Sequence, residues 1–373
     1  MILRACHYAT GELVDVECAA DRIIAVGPPG SVAPDREAGW VAPALFDLQI
    51  NGCHGIGFNS PTLTIEGVRR VVQVCRAHGI VEFLPTLVTN SFDAIAHGFA
   101  TLTRARDKDP DLARAVPGFH LEGPYISAED GPRGAHPKAH VRPPDWNEFQ
   151  RWQDAAAGRI RLVTLAPEHD QALPFIEKLT AAKVVVAIGH TAATSSRIRD
   201  AISAGARLST HLGNGSHAEL PRHDNYLSEQ LAADELWASL ICDGHHLPPA
   251  LIKIMLRMKT PSRVILTCDA GSLAGLPQGR YADWGGEFEV LSDGRIVVPG
   301  TPYLAGSGSF TDQCVAHLLK LGLATLPDAV DMASARPREL LGLPRRGLKV
   351  GDPADLILFE WGESKKFQLA SHP

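Results

Sequence analysis

Eight short apolar runs, set between polar stretches with helical spacing, constrain this chain more than any other feature. They lie at 45–50, 80–84, 116–121, 160–166, 183–188, 207–210, 237–242 and 263–268. Continuous apolar runs of this length suit strands covered on both faces, as in a parallel sheet flanked by helices. Between most of them the apolar residues change to helical spacing. Ile65, Val68, Val71, Val72 and Cys75 are one such set, with Gly79 placed to stop the helix. Further helices are expected over 92–105, 171–182 and 192–204. Eight strands alternating with helices predict an α/β fold, a (β/α)8 TIM barrel spanning residues 44–343. A doubly wound sheet is the alternative topology. No strong G-x-G-x-x-G or G-x-x-x-x-G-K-[ST] loop follows the first run, so neither common nucleotide loop is supported.

The two ends of the chain read differently. Residues 2–27 fall into short β-type runs, and Ile23-Ile24-Ala25-Val26-Gly27 follows the turn residues Ala20-Asp21-Arg22. Near the other end, Gly351-Asp352-Pro353 makes a turn before the strand candidate Ala354–Phe359. Residues 1–43 and 344–373 are therefore expected to share one small β domain. Segment 131–145, rich in Pro, Gly and charge, follows the third run and is expected to be an active-site loop.

Composition excludes several function classes. Lys plus Arg number 36 against 42 Asp plus Glu, for a net charge of −6 with no Lys/Arg run, a poor match to a nucleic-acid binder. No apolar stretch approaches the ~18 residues of a membrane span, and the first residues lack a signal-peptide pattern. The seven cysteines are odd in number and none are spaced C-x-x-C. This argues against a disulfide framework or a structural zinc knuckle and suits a reducing cytoplasm.

Polar residues cluster where the strands end. The first run closes on Asp47-Leu48-Gln49-Ile50-Asn51, the third on His120-Leu121-Glu122 and the fifth on Gly189-His190. The sixth closes on Thr210-His211, the seventh on Asp243-Gly244-His245-His246 and the eighth on Cys268-Asp269. Catalytic groups in this fold come from the C-terminal ends of several strands. Catalytic zinc takes three protein ligands, often His and carboxylate, and keeps one position open. Glu122, His190 and His211 supply such a set. Asp269 supplies a carboxylate to move a proton. His120 shares a strand face with Glu122 and is assigned a supporting role behind the ligands.

Taken together, Phe46–Cys53, Leu84-Pro85-Thr86, His120–Pro124, Gly189-His190, Thr210-His211-Leu212, Asp243–His246, Cys268-Asp269-Ala270 and Leu304–Ser307 resemble the N-acetylglucosamine-6-phosphate deacetylase family of the amidohydrolase superfamily. Order and spacing hold from about residue 23 to residue 360. The resemblance implies a metal-dependent barrel with a small β-sandwich formed by both termini. It implies one divalent ion, zinc, on Glu122, His190 and His211, with Asp269 as general base and acid. His136 would polarise the acetyl carbonyl and His246 would contact sugar hydroxyls. Asn214 and Gly215 would meet phosphate. The partner is a small amino-sugar substrate, and the assembly a homodimer. Gln49-x-Asn51 stands where many superfamily members carry His-x-His. Amides are poor zinc ligands, so a single metal is expected, with Gln49 and Asn51 supporting it.

The sequence departs from the family after the sixth strand. The family reads His-Leu-Tyr/Phe-Asn-Ala-Met and then Gly-Arg-Glu-Pro-Gly, whereas this chain has His211-Leu212-Gly213-Asn214-Gly215-Ser216 and then Pro221-Arg222-His223. Arg222 falls near the family arginine that reaches phosphate, in its own or a neighbouring subunit. The hydrolytic residues thus carry over more fully than those for substrate recognition. Three readings remain: the sugar-phosphate deacetylase, an amidohydrolase on another N-acyl sugar or amide, and a catalytically dead barrel that only binds.

Overall fold

The computed structural model describes residues 1–301, 303–362 and 367–370; the last three residues of the expected small β domain, 371–373, lie outside the described residues. Eight parallel strands form one sheet in sequence order: Leu45–Ile50, Ile80–Val88, Phe119–Glu122, Ile160–Leu165, Val185–Ile188, Leu208–Ser209, Trp237–Leu240 and Val264–Leu266. The first and eighth strands meet through the Ile50–Ala270 bridge and the Asn51 N–H to Ala270 carbonyl bond. That contact closes the sheet into a barrel. The second strand runs four residues beyond the expected end. Residues 116–118 belong to a helix cap and turn rather than to the third strand.

Local chemistry explains the helices between strands. Thr64 caps Ile65–Ala77 by accepting from the Gly67 N–H, and Val68, Val71, Val72 and Cys75 are its buried stripe. Ser91 caps Phe92–Lys108, and Thr194 caps Ser195–Ala204. Helix Ala172–Ala181 has no side-chain cap and relies on buried Phe175, Ile176 and Leu179.

The barrel interior is layered, as strand periodicity requires. Phe46, Leu48, Leu84, Leu162, Leu208 and Ile265 pack a lower apolar layer. Two residues further along three of these strands stand Thr86, Thr164 and Thr210. With His120 they form a polar layer linked by Thr86–His120, His120–Thr164 and Thr164–Thr210 hydrogen bonds of 2.7–3.2 Å. Below the apolar layer, buried Glu82 pairs with Arg338 and Arg346 at the barrel base.

Buried Asp47 seals the seam between first and eighth strands. Its carboxylate accepts from Thr267 Oγ1 at 2.5 Å, the Cys268 N–H and the Gln49 N–H at 2.8 Å each, and the Thr311 hydroxyl. Burial pushes its pKa up despite these donors. Asp47→Ala would leave those donors unpaired in the interior, at ~1–3 kcal/mol for each that finds no water. We expect a stability loss of at least about 3 kcal/mol in urea unfolding. A loss below ~1 kcal/mol would show that the seam does not depend on Asp47.

The ends of the chain share a six-stranded mixed sheet. Strand Arg36–Pro43 lies between Ile2–His7, to which it is parallel, and Leu356–Glu360, to which it is antiparallel. Outside both sheets, Gly279–Asp283, Gly286–Val290 and Ile296–Val297 form a three-stranded insert between the eighth strand and helix Thr311–Lys320. Leu273, Phe288, Val290, Ile296 and Ala305 are its core, with Ala135 of the 131–145 loop packed against them.

Candidate active site

Three side chains meet at the C-terminal mouth of the barrel. Glu122 Oε1 lies 2.9 Å from His211 Nε2 and 3.3 Å from His190 Nε2, and the two imidazole nitrogens are 3.1 Å apart. Each comes from a different strand end. His190 and His211 sit there with φ of 51° and 29°, and Asp269 with 53°. Non-glycine residues in this region cost of order 1–3 kcal/mol each and concentrate at functional sites. Gly215, at φ 55°, packs on the His190 ring so closely that a Cβ would fall 2.6 Å from Nδ1. No side chain fits there.

The protonation pattern tests whether the trio suits a cation. His190 Nδ1–H donates to the Pro132 carbonyl at 2.8 Å. That bond turns the Nε2 lone pair toward the cluster, the tautomer a metal ligand needs. Glu122 Oε1 is also an acceptor. A tetrahedral ion with ligands ~2.0–2.2 Å away has edges of about 3.3 Å, close to the separations found here. His211 Nδ1 and Asn51 Oδ1 are buried without a hydrogen-bond partner among the described residues. A divalent cation fits this donor set. Burial disfavours the Glu122 charge, but the adjoining His190 and His211 imidazoles hold its pKa well below the usual range.

Asp269 stands beside the trio and is 9% exposed, so its environment governs its charge. Asp269 Oδ1 accepts from Asn51 Nδ2 at 2.7 Å and Gln49 Nε2 at 2.9 Å, and Gln49 Nε2 also donates to Glu122 Oε2 at 2.9 Å. The Gln49 amide thus ties the two carboxylates together. A register shift in the first strand between Asp47 and Ile50 accompanies this re-aiming. Burial and the Glu122 charge push Asp269 up to about 8. A bound cation acts in the opposite sense on both carboxylates.

His136, from the 131–145 loop, lies with its ring 4.4 Å from that of His190. With Glu122 and His190 it offers atoms within 4.8 Å of one another. Its Nδ1 is bonded to Thr89 Oγ1 at 2.8 Å, so the shorter contacts join Glu122, His190 and His211 instead. Burial and the neighbouring His190 push His136 down to about 3. If Thr89 donates to Nδ1, Nε2–H is left as a donor. Sequence reasoning misses Thr89, because the apolar run of the second strand stops at Leu84. The strand-end position is in fact Thr89.

His120 lies in the layer beneath, between Thr86 and Thr164, and burial pushes it down to about 4. A cavity of about 360 Å³ opens above the trio, lined in part by Asn51, His136, Asn214, Gly215, His246 and Asp269. His246 Nδ1 bonds Asp243 Oδ2 at 2.8 Å, and Ser307 Oγ donates to the same oxygen at 2.9 Å. Asn214 Nδ2 donates to the His211 carbonyl at 3.1 Å. Arg222 is exposed and is not among the residues lining the cavity. The three-stranded insert contributes Trp284 and Arg295 to the lining, neither marked by the sequence motifs.

Residues 40–371 match the amidohydrolase family. The chain is 36% identical over 334 residues to N-acetylglucosamine-6-phosphate deacetylase of Bos taurus, covering 86% of this chain and 79% of that one. It is 30% identical to N-acetylgalactosamine-6-phosphate deacetylase of Escherichia coli O157:H7, covering 92% and 90%. The crystal structure of N-acetyl-D-glucosamine-6-phosphate deacetylase from Mycobacterium smegmatis superimposes with a TM-score of 0.89 at 32% identity, covering 99% and 97%. Strand-end side chains, barrel and relatives agree that this chain belongs to the amidohydrolase family, where it groups with the N-acetylglucosamine-6-phosphate deacetylases.

Proposed function

We propose that the protein is a metal-dependent hydrolase that removes the acetyl group of N-acetylglucosamine-6-phosphate, giving glucosamine-6-phosphate and acetate. The convergence of Glu122, His190 and His211 beside Asp269, in one cavity, carries this reading. A Mycobacterium smegmatis relative, 32% identical, was solved with that sugar phosphate bound.

Glu122, His190 and His211 would hold one divalent ion, and we assign it as zinc on its carboxylate and imidazole donors. When bound, such an ion supplies Lewis-acid chemistry, polarising the amide carbonyl and acidifying water. Asp269 takes the proton from the attacking water and passes it to the departing amine nitrogen. Asn51 and Gln49 fix the carboxylate for both transfers. His136 donates from Nε2 to the oxygen that gains charge, and the Thr89 bond sets that tautomer. His246, oriented by Asp243, faces sugar hydroxyls. Asn214 and Gly215 stand toward the phosphate. No helix among the described residues is long and apolar enough to cross a membrane. We place the reaction in the cytoplasm, in keeping with seven unpaired cysteines.

The Escherichia coli relative's name supports a second reading, in which the substrate is another N-acetyl sugar. Acetate release from N-acetylglucosamine-6-phosphate, N-acetylgalactosamine-6-phosphate and their unphosphorylated forms tests both. The highest kcat/KM is expected on the first. Metal-loaded protein that releases acetate from none of the four would sink the deacetylase assignment.

A further inference from the structure

The three-stranded insert carries a bulky side chain where its backbone least suits one. Asp283 pairs with Gly286, so the first two insert strands are linked by the two-residue turn Trp284-Gly285. The φ angles there are 49° and 77°. A turn left-handed at both positions favours Asn, Asp or Gly, and a bulky residue in it is strained. Neighbouring groups hold the tryptophan in that conformation. Asp283 accepts from the Trp284 N–H at 2.9 Å and from the hydroxyl of Ser272, three residues beyond Asp269. The indole also meets the Phe288 ring edge to face, with centroids 5.5 Å apart. Trp284 borders two spaces. One is a small apolar pocket inside the insert, shared with Leu273, Phe288 and Ile296, and the other is the active-site cavity. The insert core behind it includes Ala305 and takes Ala135 against it. Ala135 precedes His136, and two residues after Ala305 the Ser307 N–H donates to the Asp269 carbonyl at 2.8 Å. The insert core is thus joined directly to both residues assigned to the scissile amide. The groups assigned to the sugar phosphate, His246, Asn214 and Gly215, follow the sixth and seventh strands instead.

From this placement we infer that Trp284 is the wall of the acyl pocket and restricts the enzyme to acetyl groups. The inference rests on the deacetylase reading for the sugar and the reaction. With the amide carbonyl between His136 and Asp269, the sugar extends toward His246 and Asn214. The methyl, on the other side of the carbonyl carbon, faces the insert. A methyl group offers little to recognise, so selection comes from excluding longer chains. An indole clamped by its turn and by Phe288 cannot move aside for an extra methylene. Strained backbone of this kind is kept where the side chain it presents has a task.

Glucosamine-6-phosphates carrying N-acetyl, N-propanoyl and N-butanoyl groups test the pocket. Trp284→Asn removes the indole and suits the turn, so the hairpin keeps its register. It is expected to raise kcat/KM on the propanoyl substrate, relative to the acetyl one, about 10–200-fold, the discrimination one methylene gives in an apolar pocket. Trp284→Phe keeps a ring in place and should retain most of the preference for acetyl. A substitution that only loosened the insert would lower all three rates together, and an unchanged ratio in Trp284→Asn overturns the proposal. Wild-type protein that turns over all three substrates alike overturns it too. Calorimetric titration of the same sugars into metal-loaded Asp269→Asn protein, with and without Trp284→Asn, separates this failure from failure of the deacetylase reading. A Kd preference for the acetyl sugar that disappears with Trp284→Asn supports the pocket even where wild type releases no acetate, an outcome that would sink the deacetylase reading alone. A preference that persists without the indole overturns the pocket even where deacetylation stands.

Discussion

Alanine at His190 or at His211 is expected to strip the divalent ion from the protein and, with it, nearly all turnover. Each imidazole supplies one of three donor atoms that lie 2.9–3.3 Å apart. Groups that merely support ligands cost ~10–100-fold in metal affinity when changed, so losing a ligand should cost more. Removing one ring also takes from Glu122, a buried carboxylate, one of its three side-chain partners, and that charge is expensive to bury unpaired. Metal analysis of the two variants after dialysis reads the outcome directly. Full occupancy in both would remove His190 and His211 from the ligand set. Chelation of wild-type protein should abolish acetate release, and adding back a divalent ion should restore it.

Asp269→Asn separates proton transfer from metal binding. The substitution keeps shape and leaves Glu122, His190 and His211 untouched, so metal content should match wild type. The amide cannot take a proton from water, and general acid–base assistance is typically worth ~10²–10⁴ in rate. kcat is expected to fall by about that factor, with KM much less affected. Near-wild-type kcat in a metal-loaded Asp269→Asn protein would show that another group moves the proton. The result bears on Gln49 and Asn51 too, because both donate to the Asp269 oxygen whose charge the substitution removes.

The barrel and the trio were legible in the sequence for one shared reason. Strands buried on both faces must be apolar along their length, so a polar residue stands out at the point where each strand ends. Glu122, His190, His211 and Asp269 all announce themselves this way. Thr89 did not, because Pro85 and Thr86 break the apolar run inside a strand that continues to Val88. Asp47 was visible only as part of a motif. Its work at the barrel seam depends on Thr267 and Thr311, more than 200 residues away, and no local pattern encodes that. Arg295 and Trp284 were hidden for a third reason. They sit on an insert whose strands are short and half exposed, and only its folding against Ala135 brings them over the cavity.

The pairing of the strand Arg36–Pro43 with both Ile2–His7 and Leu356–Glu360 sets a schedule for making the protein. A backbone N–H at Gly39 finds its acceptor on Glu360, 321 residues later. Ribosomes add ~5–20 residues per second, so the first strands wait roughly 15–65 s for their last neighbour to be synthesised. Throughout that interval the edge of Arg36–Pro43 that Leu356–Glu360 will cover is an open row of unpaired backbone groups, a template for any other extended chain nearby. The barrel can assemble behind it in order, since each strand there pairs with the one made just before. The nascent chain is therefore most exposed to misassociation along this early strand, and chaperone occupancy along the growing chain should be greatest there.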